Sequence, residues 1–354
     1  MSGYLDVTVF PAAHSRVGER NLEPRAFGTV FSDHMLVADY RNGGWTDARI
    51  EPYSPMTLPP SISALQYGIS VFEGHKAFRT PRGEIVLFRP RDNWARMRRS
   101  CARLVLPEVP EDLYIEGLRQ LIRLDRDWLP GPDEGSLYIR PCVFATDESL
   151  RVGPPSTCRF VIFTCAVGQY YPEPLRLLVI TDYVRAFPGG TGNIKPAGNY
   201  APGLLAERQA REQGFSGVLW LDGREHRFVE EAGVMNVFFV IDDTVVTPSL
   251  GGTILPGVTR DSVITLLAEM GADVQERPVP IDEVVEAHAE GRLRECFGTG
   301  TAATIGQVAE ISYHGKILTL PPVDQRRISP AVLARITALR TGRGPDPFGW
   351  LLPV

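Results

Sequence analysis

The irregular order of strand-like and helix-like segments restricts the fold of this chain more than any other sequence feature. Apolar patterns typical of strands cover residues 27–39, 45–52, 65–72 and 84–88. Two helical patterns, at 93–104 and 113–128, then follow each other without a strand between them. A doubly wound sheet requires a regular alternation of strand and helix. The order therefore predicts an α+β chain that is rich in strands.

The strand pattern stops at residues 170–174, where two prolines interrupt it. The 354 residues are enough for two domains with separate cores. We therefore predict an N-terminal domain at 1–172 and a C-terminal domain at 173–354, joined through about 173–190. Helical patterns of the second domain cover residues 200–213, 259–270 and 330–340.

Charge and composition argue against several classes of protein. A net charge of −5 provides no basic field for nucleic acid, and the arginine-rich run at 89–103 has the apolar spacing of an amphipathic helix. No apolar run reaches the length of a membrane span, and the first twenty residues lack a secretory pattern. Five scattered cysteines without a C-x-x-C pair and six histidines without ligand spacing predict reduced thiols, no metal site and a cytoplasmic protein.

One lysine, Lys195, lies in a glycine-rich stretch at 189–200, and it is the only charged residue between Arg185 and Glu207. A lysine with few partners for its ammonium group loses its proton readily. The neutral amine can then attack a carbonyl group and form a Schiff base. An ordinary solvated lysine in a surface loop is the simpler interpretation, so other residues must decide between the two.

Three segments offer groups that could bind a phosphate. Residues 256–259 (Pro-Gly-Val-Thr) lead into a helix, whose first backbone N–H groups favour an anion. The glycine-rich turn at 298–302 offers further N–H groups, and Arg89 ends a strand pattern. Each signal is weak alone, but their presence in one chain favours a phosphate site.

Glu231 lies in an apolar strand pattern, where a buried carboxylate needs a cationic partner. The simple candidate is an arginine such as Arg227. The alternative is the protonated ring nitrogen of a pyridine cofactor, which usually contacts an acidic residue. A Schiff-base lysine, such a carboxylate and a phosphate site together indicate pyridoxal 5′-phosphate.

Stretches over nearly the whole chain carry a family resemblance. They lie at residues 27–35, 72–78, 87–90, 137–141, 189–200, 231–236, 255–260 and 297–302. In these stretches the chain resembles branched-chain amino-acid aminotransferases of the fold-type IV pyridoxal phosphate class. The resemblance implies a smaller α/β N-terminal domain and a larger pseudo-barrel C-terminal domain. It also implies a homodimer whose active site lies near the subunit interface.

The resemblance also implies roles for individual residues. For the cofactor, it implies Lys195 as the Schiff-base residue and proton shuttle, Glu231 at the ring nitrogen, Tyr200 at the ring hydroxyl, and Arg89, Val258, Thr259 and Thr301 at the phosphate. For the substrate, it implies a side-chain pocket of Phe27, Tyr67, Tyr138 and Tyr170, backbone amides of Thr301 and Ala302 at the carboxylate, and Arg140 at the distal carboxylate of glutamate.

The implied reaction is a ping-pong transfer of the amino group of leucine, isoleucine or valine to 2-oxoglutarate, so the partners are small amino acids and 2-oxo acids. Departures from the family at Val234, Gly217 and Pro196 leave open a specialised aminotransferase of a secondary pathway with a non-standard substrate. A D-amino-acid aminotransferase or lyase of the same fold also stays open.

The alternative from a different class is a nicotinamide-dependent oxidoreductase. The spacing Gly298-x-Gly300-x-x-Ala303 matches its dinucleotide fingerprint. That fingerprint requires a strand, a tight turn and a helix in one βαβ unit, which the surrounding pattern lacks.

Overall fold

The computed structural model describes residues 6–23, 27–168, 171 and 173–354. Within these residues the strands are β1 (Thr8–Val9), β2 (His34–Arg41), β3 (Gly44–Pro52), β4 (Ser70–Phe72), β5 (His75–Arg79), β6 (Ile85–Phe88), β7 (Ser136–Ala145), β8 (Cys158–Val167), β9 (Leu175–Ile180), β10 (Gly217–Leu221), β11 (Val229–Ala232), β12 (Met235–Ile241), β13 (Thr244–Thr247), β14 (Asp273–Glu276), β15 (Leu293–Gly300), β16 (Thr304–Tyr313), β17 (Lys316–Thr319) and β18 (Leu351–Pro353). The α-helices are α1 (Ser63–Tyr67), α2 (Pro90–Arg103), α3 (Glu111–Leu124), α4 (Leu204–Glu212), α5 (Val258–Glu269), α6 (Ile281–Ala289) and α7 (Ile328–Arg340).

The backbone contacts divide the chain into two compact units. Unit 1 comprises Met1–Tyr170, Lys195–Gly198 and Leu339–Val354, and unit 2 comprises Tyr171–Ile194 and Asn199–Ala338. The four residues that begin at Lys195 therefore belong to unit 1, although both flanking segments belong to unit 2. The boundaries of 1–172 and 173–354 that we drew from the sequence stay a prediction.

Unit 1 is built on one sheet with the strand order β1-β3-β2-β8-β7-β5-β6-β18, and β4 pairs with β7. Its longest ladder joins β7 to β8 in antiparallel register from Ser136↔Val167 to Ala145↔Cys158. The apolar faces of α2 and α3 contribute to the core of this sheet. A side-chain carbon at Gly117 would lie 2.8 Å from Leu36 Cδ2, so the glycine allows α3 to approach β2 closely.

Unit 2 contains a sheet that closes on itself. Its strand order is β11-β10-β9-β16-β15-β12-β13-β14, and β11 also pairs with β12. This pairing closes β9, β10, β11, β12, β15 and β16 into a barrel. Side chains such as Leu219, Phe239 and Val308, each 0% exposed, contribute to its core. The predicted α+β fold with a pseudo-barrel is confirmed.

Several predicted elements differ in type or extent from those observed. The run 65–72 was expected to be a strand, but its first part belongs to α1, which ends at Gly68 in the left-handed conformation (φ 64°) before β4 starts. Short apolar runs do not distinguish a helix turn from a strand, which explains the error. The strand expected at 27–39 starts only at His34, because turns that include Gly28 (φ 69°) precede it.

Two helices also begin at other residues than expected. The first long helix was expected at 93–104, whereas α2 starts at Pro90, whose fixed φ suits a first helical position, and among the described residues no side chain caps it. The helix expected at 200–213 is shorter, because two 3₁₀ turns at Ala197–Asn199 and Ala201–Gly203 precede α4.

Candidate active site

The loop around Lys195 is closed by the side chain of Asn199. The Asn199 amide nitrogen donates to the carbonyl oxygens of Thr191 (2.8 Å) and Ile194 (3.1 Å), and its amide oxygen accepts from the Thr191 hydroxyl (2.6 Å). A side-chain carbon at Gly192 would lie 2.1 Å from a backbone oxygen, so only glycine fits there. The glycine-rich stretch is thus held in a defined turn by its own hydrogen bonds, with Lys195 half-buried, although Gly189, Gly190 and Asn193 are exposed.

Both backbone polar groups of Lys195 are bonded within unit 1. Its N–H donates to the Ser100 hydroxyl oxygen at 3.0 Å, and its carbonyl oxygen accepts from the Phe72 N–H at 3.1 Å. Its Nζ lies 4.7 Å from the centroid of the Phe72 ring. The backbone of the lysine is therefore held between α2 and the end of β4.

The surroundings of Lys195 favour its neutral form. Burial lowers the pKa of Lys195 to about 8, the Arg96 cation acts in the same direction, and Glu73 opposes both. Arg96 and Glu73 form a buried ion pair with Nε–Oε1 and Nη2–Oε2 distances of 2.8 Å. With this pKa about a tenth of the amine is neutral at pH 7, which is enough for a nucleophile.

Three of the predicted substrate residues lie together in unit 1. Arg140 Nη2 donates to the Tyr138 hydroxyl at 3.0 Å, and its guanidinium lies 4.5 Å from the centroid of the Phe72 ring. The Phe27 and Tyr138 rings pack in a T-shaped arrangement, with their centroids 5.1 Å apart. A side-chain carbon at Gly74 would lie 2.2 Å from the Tyr138 hydroxyl oxygen, so this glycine leaves room for the tyrosine. The aromatic rings of Phe27, Phe72 and Tyr138 thus lie next to the positively charged guanidinium of Arg140.

Two other predicted residues of unit 1 contact residues outside this group, and one predicted residue is not described. Tyr67 is the last residue of α1, is 41% exposed, and donates its hydroxyl to the Leu150 carbonyl oxygen at 2.5 Å. Arg89 has a left-handed backbone (φ 50°), donates to Asp92 at 2.8 Å, and stacks 4.8 Å from the Trp350 ring centroid. Tyr170 lies outside the described residues.

In unit 2 the predicted carboxylate Glu231 is buried on β11, with 4% exposure. Its Oε1 accepts from the Leu255 N–H at 3.0 Å, and its Oε2 lies 3.4 Å from Arg185 Nε. Arg185 also bonds to the carbonyl oxygen of Thr253. Arg185 is thus an arginine that contacts Glu231, whereas the simpler alternative had named Arg227 as its example. Sequence reasoning missed Arg185, although its place at the edge of an uncharged stretch was a usable signal.

The predicted phosphate segment at residues 256–259 forms the start of α5, as expected. The helix begins at Val258, and no side chain of the described residues caps its N-terminus, so the N–H groups of Val258 and Thr259 lie in an uncapped first turn. A side-chain carbon at Gly257 would lie 2.1 Å from Asn236 Oδ1. Asn236 also donates to the Leu255 carbonyl oxygen at 2.9 Å, and the approach to α5 is therefore packed tightly against β12.

Thr301 and Ala302 lie in the turn of a hairpin between β15 and β16, where Gly300 pairs with Thr304. Both residues are half-buried. Two antiparallel strands follow each other here, and no helix follows the glycines, so the dinucleotide interpretation of 298–303 is wrong. Tyr200 is half-buried and directly precedes the 3₁₀ turn at Ala201–Gly203.

Among the described residues, no group of three or more histidine, cysteine, aspartate or glutamate side chains is placed to hold a metal ion. In the same part of the chain, no helix combines the length and apolar character needed to cross a membrane.

Comparison with known proteins adds independent evidence. The model of the family "amino-transferase class IV" matches residues 70–311. Branched-chain-amino-acid aminotransferase 2 of Bacillus subtilis is 45% identical over 93% of this chain and 92% of its own length. The branched-chain-amino-acid aminotransferase of Mycobacterium tuberculosis is 41% identical over 99% of this chain and 98% of its own length.

Solved structures agree with these relatives. The branched-chain amino acid aminotransferase from Escherichia coli superposes with a TM-score of 0.72 at 27% identity, over 90% of this chain and 98% of that chain. Another branched-chain amino acid aminotransferase, complexed with N-(5′-phosphopyridoxyl)-L-glutamate, reaches a TM-score of 0.70 at 28% identity, over 89% of this chain and 97% of that chain. The fold, the lysine turn and these relatives together show that the chain belongs to the class IV aminotransferases of fold type IV.

Proposed function

We propose that this chain is an aminotransferase that moves the amino group of leucine, isoleucine or valine to 2-oxoglutarate in a ping-pong reaction. The observation that carries the proposal is the Lys195 amine, whose pKa is lowered to about 8, in a chain that is 45% identical to a branched-chain-amino-acid aminotransferase. A structural or binding protein on this scaffold would not need a lysine with this property.

The residues present fit pyridoxal 5′-phosphate as the cofactor. Lys195 offers an amine that is partly neutral, Glu231 offers a buried carboxylate for a ring nitrogen, and the uncapped start of α5 offers N–H groups for a phosphate. When bound, the cofactor supplies an electron sink that stabilises negative charge at the substrate Cα. Arg89, Tyr200 and Thr301 complete the proposed cofactor contacts.

Each residue then performs one physical task. Lys195 would hold the cofactor through Nζ, and its amine would move the proton at the substrate Cα. Glu231, which accepts a hydrogen bond from the Leu255 N–H, would keep a proton at the ring nitrogen of the cofactor. The backbone amides of Thr301 and Ala302 bind the substrate carboxylate.

The substrate pocket must accept an apolar side chain in one half-reaction and a carboxylate in the other. Phe27, Tyr138 and Phe72 supply the apolar surface, and Arg140 supplies a cation that faces two aromatic rings. A guanidinium on aromatic rings can pair with the distal carboxylate of glutamate, or remain stacked when an aliphatic chain is bound. The proposed pocket also includes Tyr67 and Tyr170.

We also propose a homodimer, with the active site near the subunit interface, in the cytoplasm. Leu65, Leu150 and Val152 in unit 1 are 66%, 69% and 79% exposed, which supports a surface that a second copy covers. The five cysteines are free, which supports a reducing compartment.

A cofactor spectrum and a half-reaction screen test the function. The purified chain should show an absorbance band near 400 nm, as expected for a pyridoxal phosphate enzyme, and Lys195→Ala should abolish both this band and turnover. Mixing with single amino acids should bleach the band fastest for leucine, isoleucine, valine and glutamate. A purified chain without a band, even with added pyridoxal 5′-phosphate, would refute the proposal. A faster reaction with a D-amino acid would show that the substrates are D-amino acids and not branched-chain L-amino acids.

A further inference from the structure

We propose that Glu73, Arg96 and Ser100 form a positioning cluster that holds the Lys195 backbone in place and balances the charge around its amine. We call these three residues the support cluster. The inference deepens the proposed function, because it concerns the residue to which that function assigns the cofactor.

The first observation is the hydroxyl group of Ser100, which is 0% exposed and joins two backbone groups. It accepts from the Lys195 N–H at 3.0 Å and donates to the Arg96 carbonyl oxygen, one helical turn earlier in α2, at 3.1 Å. A buried N–H that loses its acceptor carries a penalty, so the hydroxyl fixes where the lysine backbone can lie. Alanine at this position could not replace either bond.

The second observation is the ion pair between Arg96 and Glu73, which are 4% and 0% exposed. The guanidinium fork binds both carboxylate oxygens at 2.8 Å, and the Gly74 N–H also donates to Glu73 at 3.2 Å. Phe72, the neighbour of Glu73, donates its N–H to the Lys195 carbonyl oxygen at 3.1 Å. The ion pair therefore ties α2 to the residues that contact the lysine from the opposite side.

The third observation is electrostatic. Among the described residues, the charged and titratable groups that act on the Lys195 amine include Arg96 from α2, Glu73 beyond β4, and Tyr138 and Arg140 from β7. Glu73 and Arg96 act with opposite sign, and because both are buried, water screens them weakly. Loss of one partner should therefore change the charge at the amine, whereas loss of both should nearly restore it.

These observations define a set of variants. Glu73→Gln leaves the Arg96 cation without its carboxylate, and because arginine stays charged, the pKa of Lys195 should fall by about one unit. The double variant Glu73→Gln/Arg96→Met should return this pKa towards that of the wild type. The matched control is Asp39→Asn, which neutralises another buried carboxylate of unit 1, paired there with Arg159 at 2.8 Å.

Two readouts follow the amine. One is the pH titration of the visible band of the cofactor-containing protein, which reports the proton on the Lys195 nitrogen while this nitrogen is bonded to the cofactor. The other is the pH dependence of Lys195 acetylation by acetic anhydride in the full chain after cofactor removal, measured by peptide mass spectrometry. The second readout needs no bound cofactor, so it still tests the cluster if the proposed function fails. An unchanged titration of folded Glu73→Gln, or an equal shift in Asp39→Asn, would overturn the proposal.

If Glu73→Gln does not fold, the variant Ser100→Ala tests the support cluster instead. In this variant the Lys195 N–H has lost its Ser100 acceptor. Its amide hydrogen should therefore exchange at least tenfold faster, measured in the peptide that contains Lys195. Ser32→Ala is the control, because Ser32 is also 0% exposed in unit 1 but bonds to Thr164. Exchange at Lys195 that equals the wild-type rate in Ser100→Ala would contradict the role of this hydroxyl.

Discussion

Replacing Gly74 by alanine tests the geometry of the tyrosine and arginine pair in unit 1. The new methyl carbon would lie 2.2 Å from the Tyr138 hydroxyl oxygen, whereas ordinary contacts of this kind begin at 3.4 Å. The tyrosine must therefore move by about 1.2 Å, the difference between these two distances. Tyr138 is 8% exposed and packs against Phe27, so its ring has little space to turn aside.

The displacement has two calculable consequences. Overpacking of a buried site costs about 1–3 kcal/mol of the free energy of unfolding, which should lower the melting temperature. The same movement should weaken the 3.0 Å hydrogen bond that Arg140 donates to the Tyr138 hydroxyl. A hydrogen bond with a charged partner contributes about 1.5 kcal/mol or more, so the half-reaction that uses Arg140 should slow roughly tenfold.

The assay is single-turnover kinetics of the cofactor band with glutamate and, separately, with leucine. Glutamate should lose more rate than leucine, because the distal carboxylate depends on the orientation of Arg140. Gly44→Ala is the matched control, since a side-chain carbon there has no atom within 4 Å. If Gly74→Ala keeps both the melting temperature and both rates of the wild type, the proposed arrangement of Tyr138 and Arg140 is refuted.

Three further predictions address separate parts of the chain. Arg140→Ala should slow the glutamate half-reaction more than the leucine one, and equal losses would contradict its role at the distal carboxylate. Gly257→Ala, whose new carbon would lie 2.1 Å from Asn236 Oδ1, should displace the start of α5 and weaken cofactor retention in equilibrium dialysis; unchanged retention would exclude α5 as the phosphate site. Burial and, to a smaller extent, the positive charge of Arg340 lower the pKa of Lys76 from 10.5 to about 7. Between these two pH values the Lys76 amine therefore binds fewer protons in the folded chain than in the unfolded chain. The wild type should therefore gain stability relative to Lys76→Met as the pH rises from 6 to 9 in denaturant unfolding, and a constant difference would contradict the lowered pKa.

Features that depend on neighbours along the chain were predictable. The lone lysine in its glycine-rich stretch indicated an amine with unusual chemistry, and the Pro-Gly-Val-Thr sequence at 256–259 indicated a helix start, because both signals are local. The order of strands and helices was enough for the α+β class. Helix and strand boundaries were less predictable: a five-residue helix such as α1 and a short strand show the same apolar run.

Features that depend on distant parts of the chain were decided only by the tertiary structure. Ser100 binds the backbone of Lys195 across 95 positions of sequence, and a serine in an amphipathic helix carries no mark of such a contact. Arg185 meets Glu231, and not the nearer Arg227, because strand pairing and the turn at Thr253 bring it there. The pairing of β11 with β12 closes the barrel, and the antiparallel pairing of β15 with β16 turns a dinucleotide-like glycine pattern into a hairpin. The sequence alone thus determined which chemical groups are available, because residue types and local turns are written in it. Packing and strand pairing determined their partners, because these depend on contacts that no local pattern encodes.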